Sequence, residues 1–515
     1  MAATEELLSF DEYIRKWSRE RGDQTAMQDD ERSLTFAELD RRTARIASWL
    51  ASQGLQKGDR IAWLGKNSAS YFTLFYAAAR TGIVMAPIGW RLTAPEIRHV
   101  LTDSTAALLI CEPTFTEAAR NAAEGLDLVL MEVSDFEAAV DRHEGERFDA
   151  AGPDDPVLQL YTSGTTGKPK GAVLANRNLF ALRLPGERGG VPWAQWDEDE
   201  AILVCMPCAH IGGTGLGIMA MSAGVRAIIQ PEFDPARVLT AFEQGITRLF
   251  IVPAALQMVV QHPDAATTDF SNVRFVMYGA APIPLELLRQ AVETMPQAGF
   301  VQCYGMTETT GTVLALHPED HDVTGNPRMR SVGTCLPGVR AKVMDENGEE
   351  APRGTIGELW VHAPSNMAGY YGRDEATAEA LTDGWMHTGD AAYMDEDGYV
   401  FIQDRIKDMI ISGGENVYPA EVESELFAHP DVTEVAVIGV PDDKWGEAVK
   451  AVIVRRDGAE TDTADIIAFA SERLASYKVP KSVDWIDALP RNPSGKILRR
   501  ELRAPYWKDE ERQVR

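Results

Sequence analysis

Residues 161–171 read Tyr161-Thr-Ser-Gly-Thr-Thr-Gly-Lys-Pro-Lys-Gly171. Thr162, Ser163, Thr165 and Thr166 offer hydroxyls, Gly164 and Gly167 let backbone N–H groups come close, and Lys168 and Lys170 add positive charge. Such a set suits a polyphosphate, because fixed donors and cations must replace the hydration of a highly charged anion. It is not a P-loop, which needs Gly, four residues, then Gly-Lys-Ser/Thr. Only two residues separate Gly164 from Gly167, and proline follows Lys168. A flexible Gly/Thr surface loop is the plain alternative for this segment taken alone.

Four further segments follow in order: Tyr304-Gly-Met-Thr-Glu308, Gly384-Trp-Met-His-Thr-Gly-Asp390, Asp404-Arg-Ile-Lys-Asp-Met-Ile-Ile-Ser-Gly-Gly-Glu-Asn-Val-Tyr-Pro419 and Pro490-Arg-Asn-Pro-Ser-Gly-Lys-Ile497. Singly, Tyr304 is an ordinary core aromatic and Lys496 an ordinary surface lysine. Together the five segments resemble the signature motifs of the adenylate-forming superfamily, which includes acyl-CoA synthetases, peptide-synthetase adenylation domains and beetle luciferases. The resemblance covers residues 10 to 505, nearly the whole chain.

In that family a carboxylate attacks the α-phosphate of ATP, giving an acyl-adenylate and pyrophosphate. Two anions must meet, and unit charges ~4 Å apart repel by ~4 kcal/mol at an effective dielectric of ~20. That is worth roughly a thousandfold in rate, so cations are needed at the site. The resemblance implies that Glu308 helps hold Mg²⁺, while Thr307 and residues 162–170 hold phosphates. It implies that Lys496 bridges the carboxylate and the α-phosphate, and that Asp390, assisted by Arg405, accepts hydrogen bonds from ribose hydroxyls. Tyr304 and the strip Gly279, Ala280 and Ala281 would line the adenine pocket. Lys407 falls at the family's hinge, about which the C-terminal domain turns between half-reactions. The second half-reaction, acyl transfer to CoA, would bring Gly413, Gly414 and Glu415 near a pantetheine tunnel, with water kept from the adenylate.

Pro207-Cys-Ala-His210-Ile-Gly-Gly213 matches the region where the family places an aromatic or histidine gate beside the acyl pocket. His210 is either that gate or a neutral packed histidine. No aspartate stands in this stretch to pair with a substrate ammonium, which disfavours an amino acid. Gly212-Gly-Thr-Gly-Leu-Gly217 misses the third spacing of a dinucleotide fingerprint, and its small residues suggest a roomy acyl tunnel. Where the family often has Ser-His, Ala175 and Asn176 stand, which bears on local packing.

The substrate expected is a medium- or long-chain fatty acid, with aryl or arylpropenoic acids as the alternative. CoA is expected as acceptor because no carrier-protein module follows Lys496. A stand-alone adenylation enzyme loading a separate carrier protein is the second class. A luciferase-type oxygenase and a non-catalytic nucleotide-binding module complete the alternatives.

The 515 residues include 50 basic and 78 acidic ones, a formal net charge of −28. That balance argues against nucleic acid, whose binding rests on phosphate neutralisation, and against anionic lipid. It does not exclude anionic substrates, since residues 478–503 hold seven basic against three acidic residues. This segment is where positive charge is expected to meet the anions. The five cysteines read as reduced cytosolic thiols, and Cys205-Met-Pro-Cys208 as part of an apolar strand rather than a metal or redox pair. The start, Met-Ala-Ala-Thr-Glu-Glu, lacks a secretory leader's pattern, and the best apolar run, 249–260, is short of the ~20 residues of a membrane span. A cytoplasmic protein is expected, with a homodimer left open.

The elements that must position these residues alternate. Thr35 and Glu38 form a capping box for a helix with Leu39, Thr43, Ile46 and Leu50 at helical spacing, stopped at Gly54. Strands are predicted at 60–64, 107–111, 128–133, 201–206, 226–229, 248–252 and 274–278, and a helix at 71–80. This alternation indicates α/β architecture with mainly parallel sheets. Residues 331–403 change to short strands and Gly/Asp turns, a small β-rich subdomain within an N-terminal body of 1–404. Asp395-Glu-Asp-Gly398 reads as a turn rather than a calcium loop. Residues 405–515 form a hinged α+β C-terminal domain, with helices at 420–427 and 463–474 and strands at 434–440 and 448–454.

Overall fold

The computed structural model describes residues 6–162, 169–322, 324–442, 444–491 and 497–507. Two large sheets form the body. One has nine strands, with Arg226–Ile229, Ala201–Val204, Arg248–Ile251, Phe275–Gly279 and Gly299–Met306 parallel at its centre. The other has seven, with Val129–Glu132, Ala106–Cys111, Arg60–Leu64, Val84–Ile88 and Pro156–Thr162 in parallel succession. Parallel strands need helical crossovers, which explains the alternation in the sequence.

Two helices lie at the junction of the sheets. Ala69–Thr81 is buried at every residue but its last, and an apolar run this complete is what a helix enclosed on all sides requires. Ile211–Ala223 packs across it, where Tyr71 Oη and Thr214 Oγ1 are 2.6 Å apart. A Cβ on Gly217 would lie 2.1 Å from the Phe72 ring, and one on Gly213 would lie 2.3 Å from the carbonyl oxygens of Met206 and Pro207. These two glycines therefore serve close packing, and the roomy tunnel expected from residues 212–217 is not what they provide.

The β-rich region forms a five-stranded antiparallel sheet of Arg340–Met344, Gly357–His362, Leu381–Thr382, Trp385–Met394 and Val400–Arg405. Thr334–Cys335 leaves it to edge the nine-stranded sheet, and Gly369–Tyr370 leaves it to edge the seven-stranded one. Asp395 Oδ1 accepts the N–H groups of Asp397 and Tyr399, closing a plain turn. After Ile406–Asp408, the strands Ile410–Ser412, Glu415–Val417, Val432–Asp442, Gly446–Arg455 and Ser482–Ile486 build a fourth sheet. Ile410, Val422, Leu426, Val437 and Ile466 belong to its own core.

Expected ends shift by a few residues, as at Ala201–Val204, where the backbone turns toward Cys205 before the apolar run stops. The capping box at Thr35 and Glu38 forms in both directions. Asn176, standing where the family often has histidine, is buried, accepts from Phe10 N–H and donates to the Gly152 carbonyl. All five cysteines are free, and four are buried. Burial pushes the thiols of Cys205 and Cys303 up to about 12 and that of Cys335 up to about 11, so the Cys205/Cys208 pair is core. No helix among the described residues is long and apolar enough to cross a membrane.

Arg248 and Glu200 form a fully buried ion pair, each 1% exposed, with Arg248 Nη1 also donating to the Trp193 carbonyl at 2.6 Å. Removing Arg248 leaves the buried Glu200 to the half-exposed Arg274, whose Nη1 lies 2.5 Å from Oε1, a much weaker compensation than the buried pair. Arg248→Met is expected to destabilise the body by about 3–5 kcal/mol, read as a lowered urea midpoint.

Candidate functional site

The site forms where the strands of both large sheets end, the usual ligand crevice of open α/β sheets. Thr162 closes Pro156–Thr162 and is the register partner of Lys170, which opens Lys170–Ala175. The connection between them, with Ser163, Gly164, Thr165, Thr166 and Gly167, lies outside the described residues. Across from it, Gly299–Met306 runs into the turn Thr307–Thr309, which presents Glu308. Glu308 is 5% exposed, and its Oε1 accepts from Thr162 Oγ1 at 3.2 Å and from Tyr370 Oη at 2.8 Å. Lys170 Nζ stands 5.1 Å over the Tyr370 ring. One carboxylate thus ties the hairpin of one sheet to the turn of the other. Burial, then Glu308 itself, raises the Tyr370 phenol well above its ordinary value, keeping it a neutral donor.

Asp390 is held from two sides. Tyr304 Oη donates to its Oδ2 at 2.5 Å, and Arg405 Nε is 2.7 Å from its Oδ1. Arg405 Nη1 also donates to the Thr388 carbonyl at 2.9 Å, and Arg405 is the register partner of Asp390 across antiparallel strands. The Tyr304 hydroxyl is thus committed to Asp390, and burial followed by the Asp390 charge raises its pKa. Gly279 is pinned, since a Cβ there would lie 2.1 Å from the Cys303 carbonyl. Ala280 takes φ +66°, a left-handed conformation that costs a non-glycine residue about 1–2 kcal/mol and marks strain at a site. With Ala281 it lines a cavity of about 150 Å³ facing the C-terminal helix Pro419–Phe427 and residues Arg491 and Ile497.

His210 precedes the helix Ile211–Ala223, and its carbonyl accepts the Thr214 N–H at 3.1 Å. Burial lowers the imidazole to about 4, and Nε2 is shielded with no hydrogen-bond partner among the described residues. It is therefore neutral near pH 7. No hydrogen bond among the described residues joins His210 to Glu308 or Asp390. Gly413 and Gly414, at φ +62° and +88°, make the two-residue turn between Ile410–Ser412 and Glu415–Val417, a geometry that favours glycine. Gly413 N–H donates to the Trp445 carbonyl, and no described hydrogen bond links the turn to the Glu308 cluster. Lys407 lies in the Ile406–Asp408 turn. Lys496 lies outside the described residues.

One contributor carries no sequence signal, and another carries one that does not show its partners. Tyr370 sits in a two-residue strand, too short for periodicity. Asp404, whose acid is raised by burial to about 6 against the lowering effect of Arg499, opens the fourth signature segment, but nothing in that segment points to Arg499 or Ala420 as its partners. Within the basic stretch 478–503, Lys478 pairs with Glu421 at 2.6 Å, Arg491 with Glu434 at 3.0 Å, Arg499 with Glu423 at 2.7 Å and Arg503 with Glu447 at 3.7 Å, all inside the same domain. Four of the seven basic residues are thus paired with glutamates, while Lys496 lies outside the described residues.

The AMP-binding enzyme family model matches residues 14–371, and that of the AMP-binding enzyme C-terminal domain matches residues 421–496. The chain belongs to the AMP-binding enzyme family. A fatty acid–[acyl-carrier-protein] ligase, ScoC of Streptomyces coeruleorubidus, is 42% identical over 94% of this chain and 93% of its own length. A feruloyl-CoA synthase of an Amycolatopsis species is 41% identical over 94% and 96%. The crystal structure of ATP-bound MatB from Rhodopseudomonas palustris superposes with a TM-score of 0.87 at 33% identity, over 97% of this chain and 99% of that one. This AMP-binding enzyme is of the acyl-CoA synthetase branch, an AMP-forming ligase.

His321 behaves like His210. Its Nδ1 donates to the His317 carbonyl and its Nε2 accepts from Tyr278 Oη, and burial lowers it to about 4. Unfolded histidines take up protons below about pH 6.5, while these two resist until about pH 4. The unfolded state therefore binds more protons in that window, so stability rises with pH from about 4 to 6.5. Each histidine contributes on the order of 3 kcal/mol across the full window. Unfolding midpoints measured between pH 4.5 and 7 should climb with pH, and His321→Gln should flatten the climb.

Proposed function

We propose that this AMP-binding enzyme is a carboxylic acid:CoA ligase that activates a medium- or long-chain fatty acid with ATP and passes the acyl group to CoA. The observation that carries this is the convergence of Thr162, Tyr370 and Glu308 beside the Tyr304–Asp390–Arg405 group. It joins an oxygen-lined site suited to a cation to an acid already positioned by two donors. Asp390 would take the ribose hydroxyls, with Tyr304 and Arg405 fixing the carboxylate, and Gly279, Ala280 and Ala281 would line the adenine site. Thr307, Thr162 and Lys170, with residues 163–167, would hold the phosphates.

The Glu308 donor set fits Mg²⁺. It is a single carboxylate among hydroxyl oxygens, and this ion is commonly held by one or two carboxylates plus substrate phosphates. Among the described residues no group of three or more His, Cys, Asp or Glu residues forms an all-protein metal cage. When bound, the ion would neutralise polyphosphate charge. Glu308 would orient it, while Thr162 and Tyr370 hold Glu308 in place. Lys496 would bring the cation that lets the substrate carboxylate approach the α-phosphate. The body would end near Asp404, and the terminal domain would turn about Lys407 to bring Gly413 and Gly414 toward the acceptor thiol. His210, neutral, would pack beside the acyl group.

A second reading is favoured by the relatives themselves. One is named for an arylpropenoic acid and CoA, the other for a fatty acid and a carrier protein, at nearly equal identity. ATP consumption and AMP release with dodecanoate, cinnamate and ferulate, each with CoA, with a phosphopantetheinylated carrier protein, or with neither, separates the three. Fastest turnover with dodecanoate and CoA is expected; dependence on the carrier protein would overturn the acceptor, and preference for ferulate the acid. Lys496→Ala is expected to lower ATP–pyrophosphate exchange by at least about a hundredfold, the scale of a lost electrostatic stabiliser. It should largely spare thioester formation from preformed acyl-adenylate.

A further inference from the structure

Asp404 lies in the strand Val400–Arg405, just ahead of the Ile406–Asp408 turn, and pairs with Ala391 of the body. It is 7% exposed. Its Oδ1 accepts the Arg405 N–H at 2.7 Å, and its Oδ2 accepts the N–H of Ala420, in the first turn of Pro419–Phe427, at 2.9 Å. From the last helix, Arg499–Arg503, Arg499 sets Nη1 at 3.8 Å from Asp404 Oδ1 and 3.9 Å from Asp408 Oδ2. Its Nη2 and Nε grip Glu423 at 2.7 and 3.3 Å, and Glu423 in turn accepts the Val437 N–H at 2.7 Å.

These partners divide unequally about the turn at Lys407. Arg499, Glu423 and Asp408 all lie on the C-terminal side or in the turn itself, so a rotation there leaves the Arg499–Glu423 contact whole. Asp404 stays with the body. It would lose both the Ala420 N–H and the Arg499 charge at once, and a carboxylate that stayed buried would be left without either partner. Among the described residues, the other ion pair across this boundary is Arg330–Glu425 at 3.5 Å; its arginine is 65% exposed, and such pairs are weak and screened. The orientation held in this way sets Arg491 and Ile497, which bridge to one another on either side of the segment containing Lys496, against the cavity lined by Ala280 and Ala281.

We propose that Asp404 and Arg499 are positioning residues that latch the terminal domain in this orientation, weighting the enzyme toward adenylate formation over thioester formation. The inference rests on the two half-reactions proposed above. The latch acts through the orientation of the domain, and neither residue needs to touch substrate. Asp404→Asn keeps an acceptor oxygen for the local N–H but removes the charge that faces Arg499. Arg499→Gln removes the cation, and Arg499→Lys keeps charge without the planar fork.

The test uses the full chain and three readouts. These are ATP–pyrophosphate exchange, single-turnover thioester formation from the preformed adenylate of dodecanoate or ferulate (whichever acid the wild type turns over faster), and tryptic cleavage at the turn holding Arg405 and Lys407. Asp404→Asn and Arg499→Gln are expected to lower exchange at least about tenfold, as loss of one partner of a buried pair permits. Thioester formation should hold or rise, cleavage at the turn should quicken, and Arg499→Lys should fall between. Equal loss of both half-reactions, or no change in either, overturns the latch. Should Asp404→Asn fail to fold, the two Arg499 variants carry the comparison. A wild type without either half-reaction refutes the proposed function; cleavage then decides the latch, and unchanged cleavage overturns it.

Discussion

The helix Ala69–Thr81 has protein on every side, and the relative placement of the two large sheets follows from it. Its far end carries Arg80, which is 1% exposed and would be prohibitive there without partners. Asp11 accepts from Nε and Nη2 at 2.9 and 2.7 Å, and Asp40 and Thr43 accept from Nη1, so the N-terminal helices Phe10–Glu20 and Phe36–Ser52 are fastened to the same point. With that helix fixed, Ile211–Ala223 can approach only through a residue without a side chain, Gly217 against Phe72. The strand ends then lie close enough for Thr162 and Glu308, from different sheets, to share a hydrogen bond.

Much of this is legible in the sequence where a local rule decides the outcome. The Thr35 and Glu38 cap, the apolar strands of both sheets and the hairpin of Val432–Asp442 with Gly446–Arg455 follow from periodicity and turn chemistry. The five motifs mark most of the side chains that gather at the crevice. What is not legible depends on tertiary partners. Tyr370 reaches Glu308 because a two-residue strand pairs with Ala172 and Val173, and no pattern that short is informative. Gly213 and Gly217 look like open space in sequence and turn out to be contacts, since smallness alone does not say what fills the gap.

Charge shows the same limit. Counting residues 478–503 suggests a basic strip for anions, yet Lys478, Arg491, Arg499 and Arg503 each face a glutamate. In a chain of net charge −28 the abundant acids are used to orient cations rather than to expose them. Of these pairs, the Arg499–Glu423 pair also faces acids on either side of a turn between two separately packed units.

The free cysteines have a chemical consequence. An acyl-adenylate is a potent acylating agent, and its intended acceptor is a sulfur nucleophile. The enzyme's own sulfurs would compete for it if they ionised. Cys205, Cys208 and Cys303 are buried, with burial holding each thiol far above neutrality, and Cys111 and Cys335 are raised as well. Since the thiolate is the attacking form, burial that disfavours it lowers the reactivity of all five. The same packing that gives the strands their apolar faces thus protects the protein from acylating itself.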